Sequence, residues 1–587
     1  MRRRQFTAYG SWLAVAVQVI AALAIFTMNH WVSLIRHDGD YTPFSAGDSI
    51  SSLVFDETHW YAVEARRFAQ SGHLPWNLDV ADVDDRVRSL PLLNGMLVGS
   101  IIFLMGNLEV TWMVLHGVLP ALMWLLIYRM IRTFSAGPLW PSAGAWVTTV
   151  VSFGPRNALL LASNSTIQPI EVTRIPGPSI TTLLLLLAVV LTAAALSRGG
   201  RLRVTVAGLA CGLLFYSYYF SWISMFVGLA ALLLVSVAAR AAWIGRLFAV
   251  VLIGSAAGSG QIGMTLWSVV HSAPTDMMVR VGHFNRSVWP GGLMLFAVSA
   301  VLLVVLTIAS RRAVRQRPSE PATPLFLAMA AVLVGAGFGC NFQLLSGYQA
   351  QHGHFVSRVI DPVGCIMVFA ALAFVLRRLP RAGRRACGAA AALGAATCVG
   401  LGVYRQVQVA VGTGHDHRAS SPRVDMARWL GTNISPDSVV GAFDGHLIAL
   451  MPAFTGTWTF APLGNRTTVS DREILMRYLL AAFLDGRDLD RVGEELLAER
   501  EHTNRLWPQP VWRHWTRRTL GPELSAALPK MIQEMDAHAE LTDRMLDYFV
   551  LQKDQSLDRL RSVFPSSAVV YANEAWSVVD VGCSSVE

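Results

Sequence analysis

The chain has 587 residues, of which 53% are hydrophobic and only 15% charged, and its mean hydropathy is +0.44. Soluble domains carry roughly 25% charged residues, so this balance argues against a single soluble fold. The formal net charge of +9 is not read as a nucleic-acid footprint, because the basic residues cluster in short tracts between apolar runs, as the positive-inside rule predicts.

The first 32 residues, MRRRQFTAYGSWLAVAVQVIAALAIFTMNHWV, hold an apolar stretch that ends in bulky residues without a small-x-small cleavage site. They read as a retained signal-anchor helix. A first span is predicted over 10–36 with MRRR inside, followed by an external loop over 37–108. The run PLLNGMLVGSIIFLMG (91–106) is short and interrupted by Gly and Asn. It is predicted to be a juxtamembrane or re-entrant helix, because a full crossing there would put YRMIR, which ends the second span (110–128), outside. The third span is predicted at 142–162 and the fourth at 179–196, leading into SRGGRLR inside. The fifth (204–222) and sixth (223–239) return to RAAWIGR, and the seventh (247–270) and eighth (291–309) to RRAVRQR. The ninth (323–342) and tenth (360–376) return to RRLPRAGRR, and the eleventh (387–404) leaves the tail outside. About eleven spans with basic inner loops make the reading self-consistent.

Residues 1–404 are thus predicted to be a multi-pass transmembrane module and 405–587 an extracytoplasmic domain. In the tail, DSVVGAFD and SSAVVYANEAWSVVDVG alternate as strands, whereas SDREILMRYLLAAFLDG and LDRVGEELLAEREHTNRLW carry helical periodicity. A small mixed α/β domain follows. Of the six cysteines, Cys211, Cys340, Cys365, Cys387 and Cys398 lie in or beside apolar runs and Cys583 in the tail. Their spacing gives neither a disulfide framework nor a zinc site. No repeat, P-loop or GxGxxG pattern is present.

This topology gathers the chemically useful side chains on the outer face. In SSLVFDETHWYAVEARRFAQSGHLP, Asp56 and Glu57 open an amphipathic helix. Asp56 can cap that helix and Glu57 favours its positive end. Either can also serve as a general base at the membrane surface. Asp48 lies just before them, and Glu64, Arg66 and Arg67 on the same helix are expected on a solvated or headgroup-facing surface. In QPIEVTRIPGPS, Arg174 precedes Pro176, Gly177 and Pro178 at the mouth of the fourth span. It can snorkel, or hold a lipid phosphate in its planar fork. In GYQAQHGHFVSRVIDP, Gln349, Gln351, His352, His354 and Arg358 gather at the mouth of the tenth span. Such polar density is costly unless it faces water or ligand. In a strand His352 and His354 would share a face, but the ligand spacing is unspecific for metal. Hydrogen bonding to sugar hydroxyls and phosphate is favoured, and no cofactor is expected. Arg280, His283 and Arg286 of the preceding external loop can add to the same positive pocket. FYSYYFSW (215–222) reads first as an interfacial aromatic belt and second as a sugar-stacking surface.

The inward N-terminus, the early acidic pair and the run PLLNGMLVG…GNLEVTWMVLHGVLPALMWLLIYRMIR resemble the GT-C superfamily. RIPGPS and QHGHFVSRVIDP are similar to motifs of its bacterial members. The resemblance covers about residues 1–400. GT-C proteins are integral membrane glycosyltransferases that use polyprenyl-phosphate sugars. The resemblance implies an inverting transfer from such a donor to a glycan, lipid or protein acceptor on the outer face of the plasma membrane. It also implies that an acidic residue of the first external loop, Asp56 or Glu57, is the base. Membrane lipid is the other expected partner. A transporter or flippase of a lipid-linked substrate would need mid-span ionisable residues and paired broken helices, of which the sequence has little. A scaffold whose tail binds a partner is the third alternative.

Overall fold

The computed structural model describes residues 2–44, 61–72, 92–135, 137–152, 171–175, 177–271, 283–284, 288–316, 322–346, 348–349, 352–413, 417–461, 469–497, 522–542 and 545–582. Asp48, Asp56, Glu57, Arg280, Arg286 and Gln351 lie outside these residues, and so do the side chains of His283, Gln349 and His352.

Backbone polar groups have no water partner in a bilayer, so apolar runs of this length fold as helices. Among the described residues, eight helices are long and apolar enough to cross a membrane, nine if one bent pair counts as a span. That pair is α1 (Arg2–Phe26) and α2 (Met28–Arg36), bent by 51°. At the bend, Thr27 Oγ1 donates to the Leu23 carbonyl at 2.7 Å, and the Trp31 indole donates to Thr27 Oγ1 at 3.1 Å. Next come α3 (Val63–Ser71), α4 (Leu92–Met105), α5 (Leu108–Arg132) and α6 (Leu139–Val147). They are followed by α7 (Ser179–Arg198), α8 (Arg201–Leu213), α9 (Tyr219–Ala238) and α10 (Ile244–His271). The bundle closes with α11 (Pro290–Gln316), α12 (Ala322–Gly339), α13 (Asp361–Leu376) and α14 (Arg381–Thr413).

Two expected spans depart from a plain α-helix among the described residues. The fifth is short, α8 with a 3-10 turn, Leu214–Tyr216, while the described part of the third is α6 with a π-helical turn, Thr148–Ser152. The boundary between fifth and sixth spans falls at Ser217–Tyr218, not at 222, because the aromatic cluster turns the chain there. The segment 91–106 forms the 14-residue α4, in keeping with a helix too short to cross. Helices α9 and α12 pack closely. A Cβ on Gly228 would lie 2.1 Å from the Ala331 carbonyl oxygen, and one on Gly335 1.9 Å from that of Ser224. The two backbones therefore touch, as small residues permit within membranes.

The bundle has two unlike ends. At one, Arg129 stacks 4.7 Å from the Trp12 ring centroid, Arg246 donates to the Leu196 carbonyl at 2.7 Å, and Arg377 to that of Thr133 at 3.4 Å. At the other end sits the tail. Its five-stranded sheet contains β3 (Val439–Ala442), β4 (Trp458–Thr459), β5 (Tyr548–Gln552), β6 (Ala568–Ala572) and β7 (Trp576–Asp580), in the order β4-β3-β5-β7-β6. β3 is parallel to β4 and β5, while β7 is antiparallel to β5 and β6. Helix Asp471–Leu484 lies in the first stretch read as helical, and Leu489–Leu497 in the described part of the second.

The tail rests on α3, which corrects the solvated surface expected for Glu64 and Arg67. These residues are 1% and 5% exposed. Arg67 donates to the carbonyls of Gly456 at 3.0 Å and Thr457 at 2.7 Å, and its guanidinium lies 3.8 Å from the Trp458 ring centroid. Glu64 packs against Gly95 of α4. Phe44, Trp112, Ile175, Val424 and Phe454 form an apolar cluster that joins the bundle mouth to the tail. Asp40 takes hydrogen bonds from the Ser420 amide at 2.6 Å and hydroxyl at 2.5 Å. Partial burial would raise its carboxyl, but those bonds, with Arg418 and His37 nearby, hold it below the ordinary range.

Candidate functional site

Three stretches singled out in the sequence converge at the tail-side mouth of the bundle. RIPGPS leads into the first turn of α7. The aromatic turn 217–218 joins α8 to α9. SRVIDP forms a π-helical segment, Val356–Ile360, that continues into α13. A π-turn widens the helix locally and is frequent at functional sites.

Arg358 lies at the centre and is 4% exposed. Its Nη1 donates to the Tyr218 hydroxyl, and its guanidinium lies 5.0 Å from the Tyr218 ring centroid. The Tyr218 hydroxyl also pairs with His354 Nδ1 at 2.8 Å, and the Phe220 ring packs edge-on against His354 at 5.0 Å. Thr182 Oγ1 donates to the Arg358 carbonyl at 3.0 Å, which ties α7 to the π-segment. Gly177 permits the approach: a Cβ there would sit 2.8 Å from Arg358 Nη1 and 3.5 Å from Thr181 Oγ1. Arg174 is 9% exposed, and its carbonyl accepts from the Ser179 amide at 3.2 Å.

The polar balance at this point is unusual. Arg358 Nε, Ser179 Oγ and Thr181 Oγ1 are buried without a hydrogen-bond partner. No ion pair joins Arg358 to a carboxylate among the described residues. A buried guanidinium without counter-charge is costly, whereas an anion in hydrogen-bond reach removes the cost. The N-terminal end of a 20-residue helix, α7, adds positive potential at the same place. The arrangement is suited to a phosphate.

Of the expected site residues, the structure brings together Arg358, His354 and the chain segment of Arg174. β1 (His283–Phe284) pairs antiparallel with β2 (Tyr348–Gln349), His283 opposite Gln349. The backbone thus places residues 283–284 beside residues 348–349. His352 and His354 do not share a strand face, because His352–Phe355 is helical. Among the described residues no group of three or more His, Cys, Asp or Glu side chains is placed to hold a metal. Sequence reasoning missed Ser179, Thr181 and Thr182, and read Tyr218 first as part of an aromatic belt and second as part of a sugar-stacking surface. A run of hydroxyls at the start of an apolar span was the available signal. Asn94, the interruption in PLLNGMLVG, braces the aromatic turn: its amide donates to the Ser217 carbonyl at 2.7 Å and its Oδ1 accepts from Ser217 Oγ at 3.2 Å.

No protein-family model and no curated protein sequence matches the chain. Among solved structures, it is similar to ArnT from Cupriavidus metallidurans bound to undecaprenyl phosphate. The TM-score is 0.46 at 13% identity, over 97% of this chain and 98% of that one. Against the apo state of the same protein the TM-score is 0.44 at 14% identity, over 98% of both chains.

Proposed function

We propose that the protein is a membrane glycosyltransferase of GT-C type, which moves a sugar from a polyprenyl-phosphate donor to a cell-envelope acceptor at the tail-side face. The observation that carries this reading is Arg358, buried and without a carboxylate partner among the described residues, beside the unpartnered hydroxyls of Ser179 and Thr181. The motif order resembling the GT-C superfamily supports it independently.

In the proposed reaction the acceptor hydroxyl attacks the anomeric carbon. A new C–O bond forms there as the bond from that carbon to the phosphate oxygen breaks. The hydroxyl proton passes to a carboxylate of the first external loop, Asp56 or Glu57 by resemblance. The electron pair of the broken bond stays on the polyprenyl phosphate, whose added charge Arg358 and the α7 N-terminus meet. Direct displacement inverts the anomeric centre. Tyr218 holds the guanidinium in place, and His354 fixes Tyr218. The basic end of the bundle is then the cytoplasmic one and the tail is extracytoplasmic. Arg174, Arg280, His283, Gln351 and His352 are proposed to complete the donor site, with Asp48 beside the base.

The test is sugar transfer from a radiolabelled polyprenyl-phosphate donor pool, in membranes holding wild type, Asp56→Asn or Glu57→Gln at equal protein levels. Loss of about 100-fold or more in one variant, the scale of a general base, identifies the base. Equal transfer in all three contradicts that assignment. No transfer by wild type above empty membranes would shift the reading to a transporter or scaffold.

A further inference from the structure

The arginine-rich end of the bundle carries a groove that the proposed transfer does not use. It opens between the segment before α6, the end of α13 and the first half of α14. One part, of about 230 Å³, is lined by Ser135, Trp140, Ala373, Leu376, Arg377 and Arg384, among others. The adjoining part, of about 550 Å³, shares Leu139, Arg384 and Gly388 with it and continues past Arg385 over Ala389 and Ala392. Among the described residues, no carboxylate lines either part.

The groove is two-natured. Arg377, Arg384 and Arg385 are exposed at its edge. The neighbouring Arg378 does not join them, because it stacks 4.5 Å from the Phe374 ring centroid. Trp140 is held in the wall by its indole N–H, which donates to the Phe369 carbonyl at 2.8 Å. Indoles favour headgroup level. The floor along α14 is made of small residues, which leave a trough beside a helix. Arginines that merely snorkel need no such trough. A free inorganic anion would leave its apolar length empty, and a zwitterionic lipid would bring an ammonium towards the guanidinium groups. An anionic headgroup with an acyl chain satisfies both parts.

We propose that this groove binds one anionic phospholipid from the leaflet on the arginine-rich side. Its phosphate sits on Arg377 and Arg384, and one chain lies over Gly388, Ala389 and Ala392. The site is independent of the sugar-transfer reading.

The experiment uses the purified full chain in detergent. It is titrated with phosphatidylglycerol or with phosphatidylcholine of the same chains, and bound lipid is read by native mass spectrometry. Wild type is expected to hold phosphatidylglycerol about tenfold more tightly, with excess inorganic phosphate failing to displace it. Arg377→Gln/Arg384→Gln should lose that preference. Gly388→Leu should lower retention of both lipids. A Cβ there has room, its nearest neighbour being Leu139 Cδ1 at 4.0 Å, and leucine favours the helix, so the larger side chain fills the groove without breaking α14. Equal retention of the two lipids by wild type, or displacement by inorganic phosphate, would overturn the proposal. So would an unchanged preference in the charge variant. Full binding by Gly388→Leu would overturn the groove as the seat of the chain.

Discussion

At the scale of single residues, Arg358 is held on several sides at once. The guanidinium is buried, bound to Tyr218, and faces Gly177 at a distance that leaves no room for a methyl group. Gly177→Ala would put a Cβ 2.8 Å from Arg358 Nη1, so the guanidinium must move away from α7. The expected result is an increase of about tenfold in KM for the polyprenyl-phosphate donor, equivalent to about 1.4 kcal/mol, with protein levels unchanged. Wild-type KM in that variant would show that the Gly177 contact has no bearing on donor binding. Arg358 and His354 were legible in the sequence because a charge and a histidine at a span mouth stand out. Tyr218 was legible only as one ring of FYSYYFSW, which reads first as a lipid-interface belt and second as a sugar-stacking surface, and only the fold shows its hydroxyl between Arg358 and His354. Ser179 and Thr181 were hidden for a related reason: a hydroxyl can turn back on its own helix, so its presence in an apolar run says little about a ligand.

At the scale of elements, apolar length and flanking arginines predicted most of the helices, because a bilayer leaves the backbone few alternatives. The departures have local causes. The kink at Thr27 and the turn at Ser217–Tyr218 depend on hydrogen bonds and ring packing that hydropathy does not register. In the tail, alternation located β3 and the β6–β7 hairpin. The parallel pairing of β3 with β4 and β5 joins distant segments, and nothing in the local pattern announces it. Beyond the end of helix Asp471–Leu484 lies Asp485, whose side chain is 4% exposed and bonded to Arg487 at 2.8 Å. Burial pushes its carboxyl up to about 6 against an ordinary 3.8. Arg487 opposes the rise, and Asp444 and Asp554 add to it. A raised folded-state value means that ionisation costs the folded tail. The contribution is therefore present in full below pH 3.8 and is lost as pH rises through about 6. The loss is on the order of 3 kcal/mol. Denaturant unfolding of the tail should show stability falling across that window in wild type, and a flatter profile in Asp485→Asn. Parallel profiles would show that Asp485 does not govern this pH range.

At the scale of the whole molecule, the unlike ends of the bundle divide the labour. Arg129, Arg246 and Arg377 lie at one end. The other end gathers the mouth of α7, the π-segment before α13 and the docked tail. The sequence yields an expected sidedness, because charge tracts alternate with apolar runs. It did not reveal that the tail covers α3. Arg67 looked like a surface charge until Gly456, Thr457 and Trp458 were found around it. The central claim is that the mouth receives a lipid phosphate on Arg358. Its most direct test compares the binding of polyprenyl phosphate and of uncharged polyprenol of equal length to purified wild type and Arg358→Gln. Wild type is expected to prefer the phosphate by at least about tenfold, and Arg358→Gln to abolish the preference. Equal binding of both lipids by wild type, or an undiminished preference in Arg358→Gln, would contradict it.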